Sequence, residues 1–329
     1  MRKLISVLIP AYNASSTIER CLQSIVNQSF QDFEIVVSDD GSKDDTGDKV
    51  RQFSSEHPHV SIVLISHHNT GVSHARKRAL EAANGEWVTF VDSDDSLTEN
   101  ALADMAAAAS DGTDLVVGFL YPPSRKIEEM SKPEIWQTAT MDGRIPSSPW
   151  AKLYRRKILS PSMLDIPREI TSGEDLLMNI AYVFAMSKPP RFIYTNLYNY
   201  TRQPLSLSHT TKGGLEYEYA FDKLRLRAIP EQSRAGVFHA LIRSRLNGVI
   251  GCAYDEAAVI AKKEHPYLQL IRDSVQQWNY KTSVAERIIL NSKSAALIKL
   301  TAFARMLKIS LTYRLHSILS VSYTHLRAH

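Results

Sequence analysis

Apolar positions in the first hundred residues fall into short unbroken runs, separated by segments in which they recur at helical spacing. Leu4 to Ile9 predicts a buried strand ended by Pro10. Behind it, Ser16-Thr17-Ile18-Glu19 has capping-box spacing, and Ile18, Leu22, Ile25 and Val26 form one helical stripe. Phe33 to Val37 predicts a second strand running into Asp39-Asp40-Gly41-Ser42, with Asp44, Asp45 and Thr46 available to start the next helix. Val60 to Ile65 predicts a third strand, followed by His67-His68-Asn69-Thr70-Gly71, a helix over about 73–83 and a stop at Gly85. A fourth strand, Trp87 to Val91, ends at Asp92-Ser93-Asp94-Asp95. Strands alternating with helices at this spacing predict right-handed crossovers and a mainly parallel, doubly wound α/β sheet.

In such a sheet the carboxyl ends of the strands share one edge, which is where ligands bind. That edge collects Tyr12 and Asn13, Asp39 and Asp40, Asn69 and Gly71, and Asp92, Asp94 and Asp95. Packed carboxylates need a cation to be stable together. With no Cys or His at ligand spacing, oxygen donors alone suit a hard ion, Mg²⁺ or Mn²⁺, of the kind that serves phosphate. The first strand-to-helix turn is Pro10-Ala11-Tyr12-Asn13-Ala14, and neither a Gly-x-Gly-x-x-Gly fingerprint nor a Gly-x-x-x-x-Gly-Lys loop occurs, which disfavours dinucleotide dehydrogenases and P-loop NTPases.

Beyond residue 110, Leu115 to Phe119 predicts a strand, and Pro122-Pro123 a break. Leu176, Leu177, Ile180, Ala181 and Phe184 predict an amphipathic helix whose first turn holds Glu174 and Asp175, acids that also complement a helix dipole. From about Gly213 the pattern is helical.

The 329 residues, 44% of them hydrophobic, suffice for a full core, and Cys21 and Cys252 form no Cys-x-x-Cys pair, so a reducing compartment is expected. Arg2, Lys3 and the following apolar run do not make a signal peptide, because Pro10 and Asn13 interrupt the run; no later run approaches the roughly 20 residues of a membrane span. The net charge of +4 is uneven: after Glu286 there is no Asp or Glu, while Arg287, Lys293, Lys299, Arg305, Lys308 and Arg314 recur among apolar residues. This is a basic amphipathic segment, read either as a contact with an anionic membrane surface or as a helix packed on its own domain with a solvated basic face. Residues 322–329 continue no preceding pattern and resemble translated adapter read-through. Nothing in the charge distribution suggests nucleic acid as a partner.

The motifs together resemble family 2 glycosyltransferases, which have the GT-A fold. The resemblance rests on Ser6 to Asn13, Asp39-Asp40-Gly41-Ser42, Asn69 to Ser73 with Ala75-Arg76, Asp92-Ser93-Asp94-Asp95, Trp150 to Arg155 and Gly173-Glu174-Asp175, in the family's order over roughly the first 210 residues. With Tyr198-Asn199-Tyr200 and Ser206-Leu207-Ser208 it points to the bacterial branch that builds capsular, exopolysaccharide or O-antigen units. The resemblance implies a catalytic domain over 1–212; the helical pattern and charge predict a basic helical region over 213–320, and 321–329 reads as a non-native tail. The resemblance also implies an inverting, metal-dependent transferase; a cytoplasmic place is expected, with attachment to the inner face of the plasma membrane left open by the two readings of the basic segment. Such an enzyme moves sugar from a nucleotide-diphosphate donor, UDP-linked by expectation, to a saccharide or lipid-linked saccharide. Tyr12 and Asp40 would meet the nucleobase, with Pro10 and Asn69 in the same donor site; Asp92 would meet the ribose, Asp94 the metal, and Asp175 would be the general base, with Glu174 its rival. Asp95 is open between metal ligand and helix cap, Trp150 between acceptor wall and core, and Lys152, Arg202 and His209 are candidates for a phosphate-contacting lid. His67 and His68 read as solvated loop residues. Lys77 and Ala79 depart from the family's usual Asn and Gly. The alternatives are an inactive nucleotide-sugar-binding subunit and a sugar-phosphate nucleotidyltransferase.

Overall fold

A computed structural model describes residues 4–123, 126–127, 130–201 and 213–307. Arg202, Ser206 to Ser208, His209, Lys308, Arg314 and the tail 321–329 lie outside the described residues. The described residues fall into two compact units, one within 1–211 and 224–236, the other within 212–223 and 237–329.

The first unit opens with β1 (Ile5–Ala11), α1 (Ile18–Val26), β2 (Phe33–Asp39), α2 (Thr46–Glu56), β3 (Ser61–Ser66), α3 (Val72–Ala82) and β4 (Trp87–Phe90). It continues with β5 (Ser96–Leu97), α4 (Ala101–Ala108), β6 (Leu115–Phe119), α5 (Pro133–Met141), β7 (Lys152–Arg155), α6 (Glu174–Ala185), β8 (Pro190–Asn196) and β9 (Tyr198–Asn199). Seven strands make one sheet in the order β3-β2-β1-β4-β7-β6-β8, and β5 pairs with β9 in a separate ribbon. In the large sheet β7 alone runs against the others, pairing antiparallel with both β4 and β6.

The inner strands β1, β2, β4, β6 and β7 are buried on both faces, which is why most of them read as continuous apolar runs, while the edge strands β3 and β8 are partly exposed. In β1, Ile5, Val7 and Ile9 pack with Leu22 and Ile25 of α1, while Leu8 packs on the opposite face with Ala79 and Leu80 of α3. Ala79 is fully buried there, so the methyl that replaces the family's usual glycine fills core volume.

Pro10 does not end β1: the strand continues to Ala11, pairing with β2 as far as Asp39. Along a parallel strand, residues 8 and 10 face the same neighbour. The carbonyl of Leu8 accepts from Val91 on the β4 side, and the β4 ladder stops at the Leu8–Phe90 pair. The missing N–H of Pro10 therefore points where the ladder has already ended. The capping box is also absent: Thr17 is the N-cap of α1 without a side-chain cap bond, and Glu19 pairs with Lys49 instead.

The second unit is helical and includes α8 (Phe238–Cys252), α9 (Ala257–Lys262), α10 (Pro266–Gln277) and α11 (Val284–Asn291), followed by helical residues 295–307; α7 (Leu215–Ala228) spans the division between units. Its core gathers Ile242, Leu246, Tyr267, Leu268, Ile289 and Ile298. The buried pair of Arg245 and Asp222, 2.9 Å apart, stays satisfied because Arg245 also donates to Ser274. Among the described residues no helix is long and apolar enough to cross a membrane.

Candidate active site

The carboxyl ends of β1 and β2 are tied together by side chains closing backbone gaps. Asn13, in a left-handed conformation, accepts from Lys43 N–H, while the amides of Ala14 and Ser15 donate to Thr46 and Asp44. Burial alone would raise the Asp44 carboxyl; its bonds from Thr46 and Ser15 prevail and bring it down to about 2. Asp39 accepts from Ser42 N–H, closing the turn. Gly41 is in the left-handed region, and a Cβ there would lie 2.9 Å from both the Asn69 nitrogen and the His67 carbonyl. Only glycine lets the β3 loop approach this closely.

Asp40 is buried, and both its oxygens hold that loop, Oδ1 accepting from Thr70 N–H at 2.7 Å and Oδ2 from Gly71 N–H at 2.8 Å. His67 is not a solvated loop residue: its side chain is 7% exposed, bonds the Ser38 hydroxyl through Nε2 and lies 3.3 Å from Asp40.

These loops and the segment before α6 enclose a cavity of about 620 Å³ whose lining includes Pro10, Tyr12, Asp40, Asn69 and Asp175. Tyr12 is half exposed. Ile166, Pro167 and Arg168 form another part of the wall. Two contacts pin this wall: Arg168 donates to Asn69 at 3.0 Å, and Lys77 pairs with Asp165 at 2.5 Å. Lys77, unusual for the family, thus anchors the wall through its ammonium.

Asp92 and Asp94 are outside that lining. The link from the cavity to Asp92 is Arg76, a buried guanidinium on α3. It donates to Asp175 at 2.5 Å and to Asp92 at 3.1 Å, with Glu174 at 3.9 Å. Gly173, in the left-handed region, starts α6, and neither acid of the first turn makes a side-chain cap. Asp175 turns instead to Arg76. Burial raises its carboxyl to about 7; Arg76 opposes the rise, and Glu174 and Asp92 add to it. Lys152 is fully buried on β7 and donates to the Ser148 carbonyl, so it does not serve as a lid. Burial lowers its ammonium to about 7, with Asp175 opposing.

Asp94 is raised by burial first and by Asp92 second; Arg20, which donates to the Asp94 carbonyl at 2.5 Å, counters this. Among the described residues no ion pair neutralises the Asp94 carboxylate, and no group of three or more His, Cys, Asp or Glu converges as a complete metal shell. A hard divalent ion fits this donor set as a partial shell, since Mg²⁺ is commonly held by one or two carboxylates plus substrate phosphates. Asp95 is not a helix cap: it is buried and accepts from Thr201 N–H at 2.7 Å, while the N-cap of α4 is Asn100. Trp150 stacks on Tyr198, centroids 4.6 Å apart, and Tyr198 accepts from Asp92 N–H through its hydroxyl. Arg76, Arg168 and His74 are not among the site residues the sequence singles out; Arg168 and His74 line the cavity, and Arg76 connects it to Asp92.

The family model for Glycosyl transferase family 2 matches residues 6–167. EpsH of Bacillus subtilis is 30% identical over 210 residues, covering 60% of this chain and 60% of its own length. Among solved structures, residues 1–349 of S. aureus TarS in complex with UDP-GlcNAc superpose with a TM-score of 0.61 at 19% identity, covering 93% of this chain and 92% of that one. The mannosyltransferase PcManGT from Pyrobaculum calidifontis, in complex with GDP-Man and Mn²⁺, gives 0.55 at 18% identity over 93% and 88%.

Proposed function

We propose, from the premise that this chain belongs to glycosyl transferase family 2 and has the GT-A fold, that it transfers a sugar with inversion from a UDP-sugar to a hydroxyl of a lipid-linked saccharide. The observation that carries the chemistry is Asp175. Its carboxylate lines the cavity, is oriented by Arg76, and has its proton affinity raised to about 7, where it can take up a proton near neutral pH. In the proposed step the acceptor hydroxyl oxygen bonds to C1 of the sugar as the bond from C1 to the diphosphate oxygen breaks. The electron pair leaves with the diphosphate, and the hydroxyl proton goes to Asp175. Displacement in one step by the acceptor inverts C1.

Tyr12, Pro10, Asn69 and Asp40 are the proposed nucleobase end of the site, with Asp40 acting chiefly by holding the Thr70–Gly71 backbone in place. Asp92 is the proposed ribose ligand and Asp94 the residue that would hold Mg²⁺ or Mn²⁺. Such an ion supplies positive charge to the departing diphosphate. PcManGT with GDP-Man and Mn²⁺ and TarS with UDP-GlcNAc support the choice of ligand classes. The proposed place of work is the inner face of the plasma membrane.

The test is thermal unfolding with UDP-, GDP- and dTDP-sugars, with and without Mn²⁺, using Asp94→Ala as control. Metal-dependent stabilisation by UDP-sugars that disappears in the variant is expected. Stabilisation by no donor would overturn the reading in favour of a protein that has lost donor use.

A further inference from the structure

Helical residues 295–307 of the second unit are apolar on two sides. Ile298 and Ala302 are fully buried in that unit's own core. The other side carries Leu297, Leu300, Phe303 and Leu307, each between 43% and 65% exposed. Their spacing of three, three and four residues keeps them on one stripe. A helix that needed only its own core would be polar there.

Arg305 is answered by Glu286 at 3.7 Å, whereas Lys293 and Lys299 have no ion-pair partner among the described residues. Lys293 and Lys299 are exposed, and no Asp or Glu follows Glu286 in the sequence. Lys299 lies 4.6 Å from the Tyr254 ring centroid, which holds its stem along the apolar surface. A second copy of this chain seated face to face would oppose lysine to lysine. A neutral apolar partner would leave the lysines unanswered.

From this pairing of an exposed apolar stripe with unopposed cations, we infer that residues 293–307 form a surface that docks on an anionic lipid bilayer. The helix lies in the interface plane, the apolar side chains entering the headgroup boundary and the lysines meeting lipid phosphates. The inference deepens the lipid-linked acceptor proposed above and rests on that reading for its purpose, though its test does not depend on turnover.

The experiment is co-sedimentation of the full chain with vesicles of phosphatidylcholine alone or mixed with phosphatidylglycerol. Binding to the mixed vesicles is expected to be about tenfold tighter or more at low salt and to weaken as salt rises. The double variant Leu300→Glu/Phe303→Glu should lose about tenfold or more, while Lys293→Glu/Lys299→Glu should lose the preference for anionic lipid. Unchanged melting temperature and donor hydrolysis in both variants separate this result from misfolding and from failure of the transferase reading. No vesicle binding by the wild type, equal binding to both vesicles, or wild-type binding by the Leu300/Phe303 variant would overturn the inference. So would a dimer in solution that the same variant dissociates, in place of vesicle binding.

Discussion

Replacing Arg76 by Met removes the cation between Asp175 and Asp92 while keeping a side chain of similar length. The guanidinium touches Asp175 at 2.5 Å and Asp92 at 3.1 Å. At a charge separation of about 4 Å, a pair near a protein surface is worth roughly 4 kcal/mol. Asp175 and Asp92 keep 27% and 29% of their side-chain surface in solvent, so about half that, ~2 kcal/mol, is a fairer figure for each. For Asp175 it corresponds to moving a titration by roughly 1.5 pH.

The wild-type carboxyl titrates at about 7, and a base must be unprotonated, so donor hydrolysis should rise with pH through that value. In Arg76→Met the rise should shift to roughly pH 8–9. Stability should fall by about 2–3 kcal/mol at pH 8, where Asp175 of the wild type is charged and paired, and by less at pH 5, where a proton neutralises Asp175 in both proteins. The assay is kcat/KM for donor hydrolysis over this pH range together with urea unfolding at both pH values. A variant whose profile still turns near pH 7 would refute the role of Arg76, and a stability loss independent of pH would refute the electrostatic account.

Lys152→Met should stabilise the protein. The lysine titrates at about 7 when folded against 10.5 as a free side chain, so its burial opposes folding fully below pH 7 and not at all well above 10.5. Melting temperatures of both proteins should differ most at pH 7 and below, by about 1–3 kcal/mol in stability, and converge toward pH 10; no gain at pH 6 would contradict this. Gly41→Ala should cost about 1–3 kcal/mol, because Gly41 has a φ of +75° and the added methyl meets the β3 loop backbone. It should also weaken donor-induced stabilisation, since Asn69 and Thr70 are displaced, and an unchanged melting curve would refute the close-approach argument.

β1, β2 and β4 were legible because strands buried on both faces are written as unbroken apolar runs; β3, a partly exposed edge strand, was legible from its run of β-branched residues, and the spacing of β1 to β4 left room for one helix each. The place of Asp175 in the first turn of α6 was legible from the apolar period that follows it. Pairing that depends on distant segments was not. The reversed β7 between β4 and β6 has no local signature, and neither does β8, which reaches β6 from some seventy residues away. The same holds within the site. Arg76 reads as one more basic residue on a helix until Asp92 and Asp175, 16 and 99 positions away, converge on it. The Lys77–Asp165 and Arg168–Asn69 pairs join positions 88 and 99 apart. His67 was misread because it sits in a polar stretch, which predicts exposure, while its burial comes with the Ser38 hydroxyl of β2; the cap reading of Asp95 failed because the Thr201 N–H, 106 positions away, engages its carboxylate.

The central claim, that Asp175 is the base for transfer from a nucleotide sugar, is tested most directly by Asp175→Asn, comparing donor affinity by calorimetry with donor hydrolysis at pH 8. The account predicts affinity within about threefold of wild type and hydrolysis lower by about a hundredfold or more. Hydrolysis at the wild-type rate in a variant that binds donor normally would contradict it.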